Sequence, residues 1–139
     1  MKALFDTNVV LDVLLDREPF VDNAAKLFSL VDKGHIGGAI CATTVTTIFY
    51  IASKDFGRKR AREQVHDLLK LFEIAPVDRE ALEAALLLDF SDYEDAVIHE
   101  SARAAGVTAI VTRDQKDFLR SEIPVLLPSE LLAAVSALK

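Results

Sequence analysis

The chain alternates short apolar runs with longer segments whose apolar residues recur every three or four positions. The short runs predict five β-strands, at residues 2–5, 39–42, 74–77, 108–112 and 125–127. The longer segments predict seven helices, at about 8–15, 19–33, 43–54, 58–72, 78–88, 91–106 and from 128 onward. Because strands and helices alternate throughout, we predict an α/β fold of three layers, with helices covering both faces of a mostly parallel sheet.

Length and composition predict one folded domain. The chain has 139 residues, of which 51% are hydrophobic and 27% charged, enough for one compact core and too few for two. No repeat or linker divides it, so we expect a single domain over residues 1–139. Cys41 is the only cysteine, which excludes an internal disulfide and a cysteine metal site. Residue 6 is already acidic and no segment approaches a membrane span, so we expect a cytoplasmic protein that does not contact membranes.

Acidic residues stand at three predicted junctions between a strand and a helix. One follows the first strand, three open the helix that begins SDYEDAV, and two follow the strand TAIVT: Asp6, Asp92, Glu94, Asp95, Asp114 and Asp117. Parallel strands present their carboxyl ends at one edge of a sheet, so these side chains could converge there. Each acid taken alone is equally consistent with helix N-capping and compensation of the helix dipole.

Converging carboxylates repel one another unless a positive charge lies among them. Carboxylate oxygens and water are the ligands that Mg²⁺ and Mn²⁺ prefer. Two such ions about 4 Å apart can hold a phosphodiester and activate a water for in-line attack. The junctions taken together therefore favour a divalent-metal site over three unrelated helix caps. The formal net charge of −6 does not exclude nucleic acid, because bound cations offset such a cluster.

Three sequence blocks, FDTNVVLD, SDYEDAV and VTRDQKDF, resemble in order and spacing the motifs of the PIN domain family, and most closely its small VapC-like toxins. The resemblance implies a Rossmann-like PIN fold, Mg²⁺- or Mn²⁺-dependent endoribonuclease cleavage of RNA phosphodiesters, frequent homodimerisation and often a cognate antitoxin. By matching motif positions, it implies metal-binding, catalytic roles for Asp6, Asp95 and Asp114. Asp92 would be a further metal-binding acid, and Asp117 and Asn8 would support the site.

One position departs from the pattern of the resembled family. PIN nucleases usually carry an additional acid, most often Glu, on the helix after the second strand, and here the matching residue is Thr47. A hydroxyl offers no charge, so either Asp92 compensates, or metal binds weakly, or catalysis has been lost. The alternative hypothesis is therefore a PIN-fold module that binds RNA or regulates without cleaving. A phosphotransfer receiver domain is a third, weaker interpretation of acids at strand ends.

Basic residues provide further candidates for RNA contacts. The segment GRKRAR is the densest basic cluster and contributes Arg58, Lys59, Arg60 and Arg62, although a solvated helix start is the simpler interpretation. Arg113, beside Asp114, is predicted to contact either a substrate phosphate or an acidic partner. His99 follows Asp95 by one helical turn, and we expect it to be a surface or packing residue.

Overall fold

A five-stranded parallel sheet forms the centre of the molecule. The structure, a computed structural model, describes residues 1–138. The strands are β1 (Lys2–Phe5), β2 (Gly37–Cys41), β3 (Glu73–Ala75), β4 (Ala109–Val111) and β5 (Val125–Leu126). They are arranged in the order β3-β2-β1-β4-β5, and every neighbouring pair is parallel. The α/β class and the predominantly parallel sheet predicted from the sequence are confirmed.

Helices connect the strands as the hydrophobic periodicity predicts. They are α1 (Thr7–Leu14), α2 (Val21–Asp32), α3 (Ala42–Phe56), α4 (Arg58–Leu71), α5 (Arg79–Leu86), α6 (Tyr93–Ala105) and α7 (Pro128–Ala137), with a short 3₁₀ helix at Gln115–Phe118. Helix α2 begins later than predicted, because the carbonyl of Arg17 accepts the N–H groups of Phe20 and Val21 and residues 18–20 close a turn instead. Within residues 1–138, no helix has the length and apolarity needed to cross a bilayer.

The alternation of side chains along β1 divides the core into two halves. Ala3 and Phe5 belong to the larger cluster, which includes buried residues of α1, α2, α3, α4 and α7. Leu4 points to the opposite face, where Ile98 of α6 and Phe118 of the 3₁₀ helix pack on the sheet. Successive residues of a strand face opposite sides, so β1 is buried by helices on both. The three layers predicted from the sequence are present.

The order of the strands determines where a site can form. Strands β2 and β3 follow β1 in the chain and lie on one side of it in the sheet. Strands β4 and β5 come later in the chain and lie on the other side. In an open parallel sheet, the crevice beyond the carboxyl ends of the strands at such a reversal is the usual ligand site. Here the crevice lies beyond Phe5 and Val111, the paired last residues of β1 and β4. Asp6 and the segment Thr112–Asp114 continue directly from those two strand ends.

Candidate active site

Asp6 caps a helix and also faces the crevice. One carboxylate oxygen, Oδ1, accepts the backbone N–H of Thr7 at 2.8 Å and caps α1. The other oxygen, Oδ2, accepts the hydroxyl of Thr112 at 2.8 Å and lies 3.4 Å from Nδ2 of Asn8. Only 6% of Asp6 is exposed. The two interpretations left open by the sequence are therefore compatible, because each uses a different oxygen of the same carboxylate.

Asn8 connects the end of β1 to the end of β4. Its amide nitrogen lies 3.4 Å from Oδ2 of Asp6, 3.3 Å from Oγ1 of Thr112 and 3.4 Å from Oδ2 of Asp114. Its amide oxygen accepts the backbone N–H of Arg113 at 3.3 Å. Thr112 in turn accepts the backbone N–H of Asp114 at 3.1 Å. One amide thus orients two carboxylates that are more than 100 residues apart in the chain.

Asp95 comes from the first turn of α6, which follows helix α5, so the junction between a strand and a helix expected at this point is wrong. Its backbone N–H is accepted by the carboxylate of Asp92 at 3.1 Å, which caps the helix. Burial is the largest cause of a rise in the pKa of Asp95 to about 7, to which the carboxylates of Asp6, Asp92, Asp117 and Glu94 also contribute. Asp95 therefore lies within electrostatic reach of acids from the other two junctions.

Asp6 is subject to the same repulsion. Burial raises its pKa, the hydrogen bonds from Thr112 and Thr7 oppose that rise, and the carboxylates of Asp114 and Asp117 reinforce it. Like charges disfavour ionisation of one another when they share a small volume. The structure therefore brings together four of the acids selected from the sequence, which we call the acidic cluster: Asp6, Asp95, Asp114 and Asp117.

The acidic cluster suits a hard divalent cation in donor type and charge. Its side chains offer carboxylate oxygens, which are the ligands preferred by Mg²⁺ and Mn²⁺. The raised pKa values of Asp6 and Asp95 mean that positive charge among these groups would relieve an unfavourable interaction. In residues 1–138, no three His, Cys, Asp or Glu side chains are arranged to hold a metal ion as they stand.

Arg113 is held by an acid that the sequence analysis did not select. Its Nε and Nη2 atoms donate to the two carboxylate oxygens of Asp12 at 2.7 and 3.2 Å, and Asp12 is only 1% exposed. The guanidinium also lies 4.0 Å above the ring of Phe20. Of the two roles expected for Arg113, the structure displays the contact with an acidic partner. Asp12 could have been recognised from the sequence, because it interrupts the apolar run VVLDVLL.

Thr47 uses its hydroxyl within its own helix. It donates to the backbone carbonyl of Thr43 at 3.2 Å, a bond that commonly satisfies a threonine inside a helix. The link between α3 and the site is made by Thr44, whose hydroxyl lies 2.9 Å from that of Thr7, directly after Asp6. Thr44 was not selected from the sequence. It fixes the first turn of α3 beside the acidic cluster.

The other candidates lie outside the cluster. The four basic residues of the segment GRKRAR are exposed in the first turns of α4. His99 is fully buried. Its Nδ1 lies 2.8 Å from Glu100 and its Nε2 accepts the backbone N–H of Glu122 at 3.2 Å. His99 is thus a packing residue that joins α6 to the loop after the 3₁₀ helix.

Comparison with known proteins identifies the class of this fold. Residues 2–116 match the family model described as PIN domain. The chain therefore belongs to the PIN domain family, and the resemblance noted from the three motifs is confirmed. The five-stranded parallel sheet is thus a PIN fold. The interpretation as a phosphotransfer receiver domain is set aside.

Individual relatives point to one branch of the family. Ribonuclease VapC1 of Aquifex aeolicus (strain VF5) is 25% identical over 134 residues, covering 93% of this chain and 92% of that protein. A toxin–antitoxin complex from Klebsiella pneumoniae contains a chain with a TM-score of 0.69 and 26% identity, covering 91% of this chain and 97% of that one. VapBC2 from Rickettsia felis, bound to a DNA fragment from its promoter, gives a TM-score of 0.69 at 18% identity, covering 91% and 98%.

Proposed function

We propose that this protein, as a single PIN domain over residues 1–139, is a divalent-metal-dependent endoribonuclease that hydrolyses RNA phosphodiester bonds. The observation that carries the proposal is the acidic cluster, in which acids from three distant parts of the chain share one crevice. There burial, and after it the neighbouring carboxylates, raise the pKa values of Asp6 and Asp95. Such perturbed groups concentrate at functional sites. The similarity to a ribonuclease over 93% of the chain supports the same reaction.

In this proposal, Asp6, Asp95 and Asp114 hold Mg²⁺ or Mn²⁺, and Asp92 and Asp117 support them. When bound, the metal supplies the charge stabilisation that phosphodiester hydrolysis requires. The protein contributes the orientation of the ligands. The hydroxyl of Thr112 holds Oδ2 of Asp6 at 2.8 Å, and the Asn8 amide keeps that oxygen near Asp114.

Asp95 also couples metal binding to proton release. With a pKa of about 7, its carboxyl group is partly protonated at neutral pH in the metal-free protein. The ionised form of Asp95 would be favoured by positive charge in the cluster, so metal binding would be accompanied by loss of the Asp95 proton. Metal affinity should therefore rise as the pH increases through 7.

The partners of the proposed enzyme follow from its relatives. The similar structures include toxin–antitoxin complexes and VapBC bound to DNA, so we propose that this chain is the toxin of a pair and that a cognate antitoxin inhibits it. We also propose that it forms a homodimer, as the family resemblance implies. In this proposal the chain itself contacts RNA.

Cleavage of an RNA panel tests the proposal. Purified protein is incubated with structured and single-stranded RNAs in Mn²⁺, in Mg²⁺ and in EDTA. We expect internal cleavage that requires a divalent ion, is abolished by Asp6→Asn and is unaffected by Glu63→Gln, which removes an exposed acid on α4. Cleavage that survives Asp6→Asn, or that proceeds in EDTA, would contradict the proposal.

A second candidate function is an RNA-binding or regulatory module that does not cleave. The observation in its favour is Thr47, whose hydroxyl bonds to Thr43 and which adds no charge where the resembled nucleases usually carry an acid. This alternative predicts RNA binding without products at any divalent-ion concentration. The same panel distinguishes the two functions when binding is recorded beside cleavage.

A further inference from the structure

The hairpin formed by the end of α3 and the start of α4 carries a concentration of positive charge. Residues 54–62, KDFGRKRAR, contain five basic side chains and one acid, a net charge of +4 in a chain of net charge −6. Their charged side chains are exposed. Two aromatic rings accompany them, because Tyr50 is 61% and Phe56 42% exposed. We call the basic side chains of 54–62 together with these two rings the basic hairpin surface.

Intramolecular ion pairs do not account for these cations. The ion pairs found within residues 1–138 involve lysines and arginines elsewhere in the chain. The cations contact the rings instead: Nζ of Lys54 lies 4.3 Å from the centre of the Tyr50 ring, and the guanidinium of Arg60 lies 5.7 Å from that of Phe56. The surface therefore presents positive charge and aromatic faces side by side.

The placement of the charge opposes helix stability. Helix α4 has no acid in its first turn and no side-chain cap at Gly57. Cations in the first turn of a helix face the positive end of the helix dipole, which disfavours them. A polyanion bound there would reverse that balance, because phosphate is favoured by both the cations and the helix N-terminus. The requirements of folding alone do not explain this concentration of charge.

We propose that the basic hairpin surface binds single-stranded RNA, with phosphates on the cations and unpaired bases stacked on Tyr50 and Phe56. Sequence-tolerant binding of single strands combines a positive surface with exposed aromatic rings in this way. A duplex keeps its bases stacked inside and cannot use the rings. The inference rests on the proposed function, and it deepens that function by naming the form of RNA and the surface that receives it.

The surface is separate from the acidic cluster but connected to it by one rigid element. Thr44 contacts Thr7 beside the cluster, and Phe56 ends the same helix. Twelve residues of α-helix separate Thr44 from Phe56, which corresponds to about 18 Å. A strand bound at the hairpin therefore needs several nucleotides to reach the cluster, whereas a dinucleotide cannot occupy both places.

Binding is measured by fluorescence anisotropy, with a labelled single-stranded RNA of about 12 nucleotides and Asp6→Asn protein in EDTA, so that cleavage plays no part. The test variant adds R58E/R60E. The matched control adds K26E/R79E, an equal change in net charge at exposed residues of α2 and α5. Circular dichroism melts and size-exclusion chromatography are recorded for each protein.

The salt dependence of binding gives the expected size of the effect. Each phosphate contact on a single strand contributes a slope of about 0.7 to the logarithm of affinity against the logarithm of salt. Loss of two contacts should lower the slope by about 1.4, so the ratio of wild-type to variant affinity should be roughly 25-fold larger at 0.1 M than at 1 M salt. Tyr50→Leu should weaken single-strand binding about fivefold or more and leave duplex binding unchanged.

The inference and the proposed function can fail separately. If R58E/R60E loses no more RNA affinity than K26E/R79E, the proposed role of the basic hairpin surface is overturned. This holds whether or not the wild-type protein cleaves RNA. A changed oligomeric state with unchanged RNA affinity would assign the surface to a second copy of the chain and would overturn it too. If the wild-type protein cleaves, R58E/R60E should slow cleavage of long RNA and spare a dinucleotide. If the wild-type protein does not cleave RNA but R58E/R60E loses RNA affinity as predicted, only the proposed function is refuted.

Discussion

Neutralising Asp95 should stabilise the metal-free protein, by an amount that grows as the pH rises from about 4 to 7. Its pKa is raised from 3.8 to about 7, first by burial and then by the neighbouring carboxylates. Each pKa unit corresponds to about 1.4 kcal/mol. The rise in the pKa of Asp95 can therefore lower the free energy of unfolding by at most roughly 4 kcal/mol. Asp95 is only half-buried, so screening by solvent reduces the expected value to about 2 kcal/mol.

The direction of the pH dependence follows from the two states of the chain. Below pH 4, Asp95 is protonated in both the folded and the unfolded protein, so it does not lower the free energy of unfolding. Between pH 4 and 7 the unfolded chain loses the proton while the folded protein keeps it, so the free energy of unfolding falls as the pH rises. Above pH 7 Asp95 is ionised in both states, and its ionisation lowers the free energy of unfolding no further. Asp95→Asn should therefore add about 2 kcal/mol to the free energy of unfolding at pH 8 and almost nothing at pH 4.

Urea denaturation in EDTA at both pH values measures this difference. The matched control is Glu94→Gln, which removes an exposed acid from the same first turn of α6 and reproduces any loss of interaction with the helix dipole. We expect Glu94→Gln to change the free energy of unfolding by less than about 0.5 kcal/mol. Equal effects of the two substitutions at pH 8, or a gain from Asp95→Asn that does not depend on pH, would show that the ionised Asp95 carboxylate does not destabilise the metal-free protein.

Three further substitutions test other parts of the site. Asp12→Ala leaves the guanidinium of Arg113 without its carboxylate and should lower the free energy of unfolding in urea by about 3–5 kcal/mol. The control Glu83→Ala breaks an exposed ion pair and should lower it by less than about 1 kcal/mol. Similar losses would contradict a structural role for Asp12. Thr47→Glu should tighten Mn²⁺ binding in a calorimetric titration and lower the stability of the metal-free protein, and unchanged or weaker affinity would mean that residue 47 does not face the cluster. Asp6→Asn should abolish cleavage and leave the melting temperature in EDTA unchanged or higher, since it removes charge from a repelling group. A marked drop would show that the charged carboxylate stabilises the fold through its hydrogen bonds with Thr7 and Thr112.

The elements that carry the acids could be predicted because their signals are local. Strand β1 has the predicted bounds, and Asp6 and Asp114 follow the ends of β1 and β4, which hydrophobic runs mark clearly. The approach of these two acids follows from the sequence, since strands that alternate with helices form a parallel sheet whose carboxyl ends share one edge. Asp95 does not follow from that rule, because α6 comes after helix α5 and not after a strand.

The contacts that orient the cluster could not be predicted, because they join residues remote in the chain. Asp12 and Arg113 are 101 residues apart, and the sequence offered Arg113 several acids nearer than Asp12. Thr112 is an ordinary strand residue until the fold places its hydroxyl on Asp6. Side-chain partners of this kind depend on the packing of α1 against β4, which hydrophobic periodicity does not specify.

Anomalous scattering from crystals grown with Mn²⁺ would show directly whether the acidic cluster binds metal, because it locates the ion without reference to activity. We expect a strong peak about 2 Å from carboxylate oxygens of Asp6, Asp95 and Asp114, absent from crystals of Asp6→Asn. Saturating Mn²⁺ that produced no peak at the carboxyl edge of β1 and β4, or that produced peaks only at exposed acids elsewhere, would contradict a metal-dependent site in this cluster.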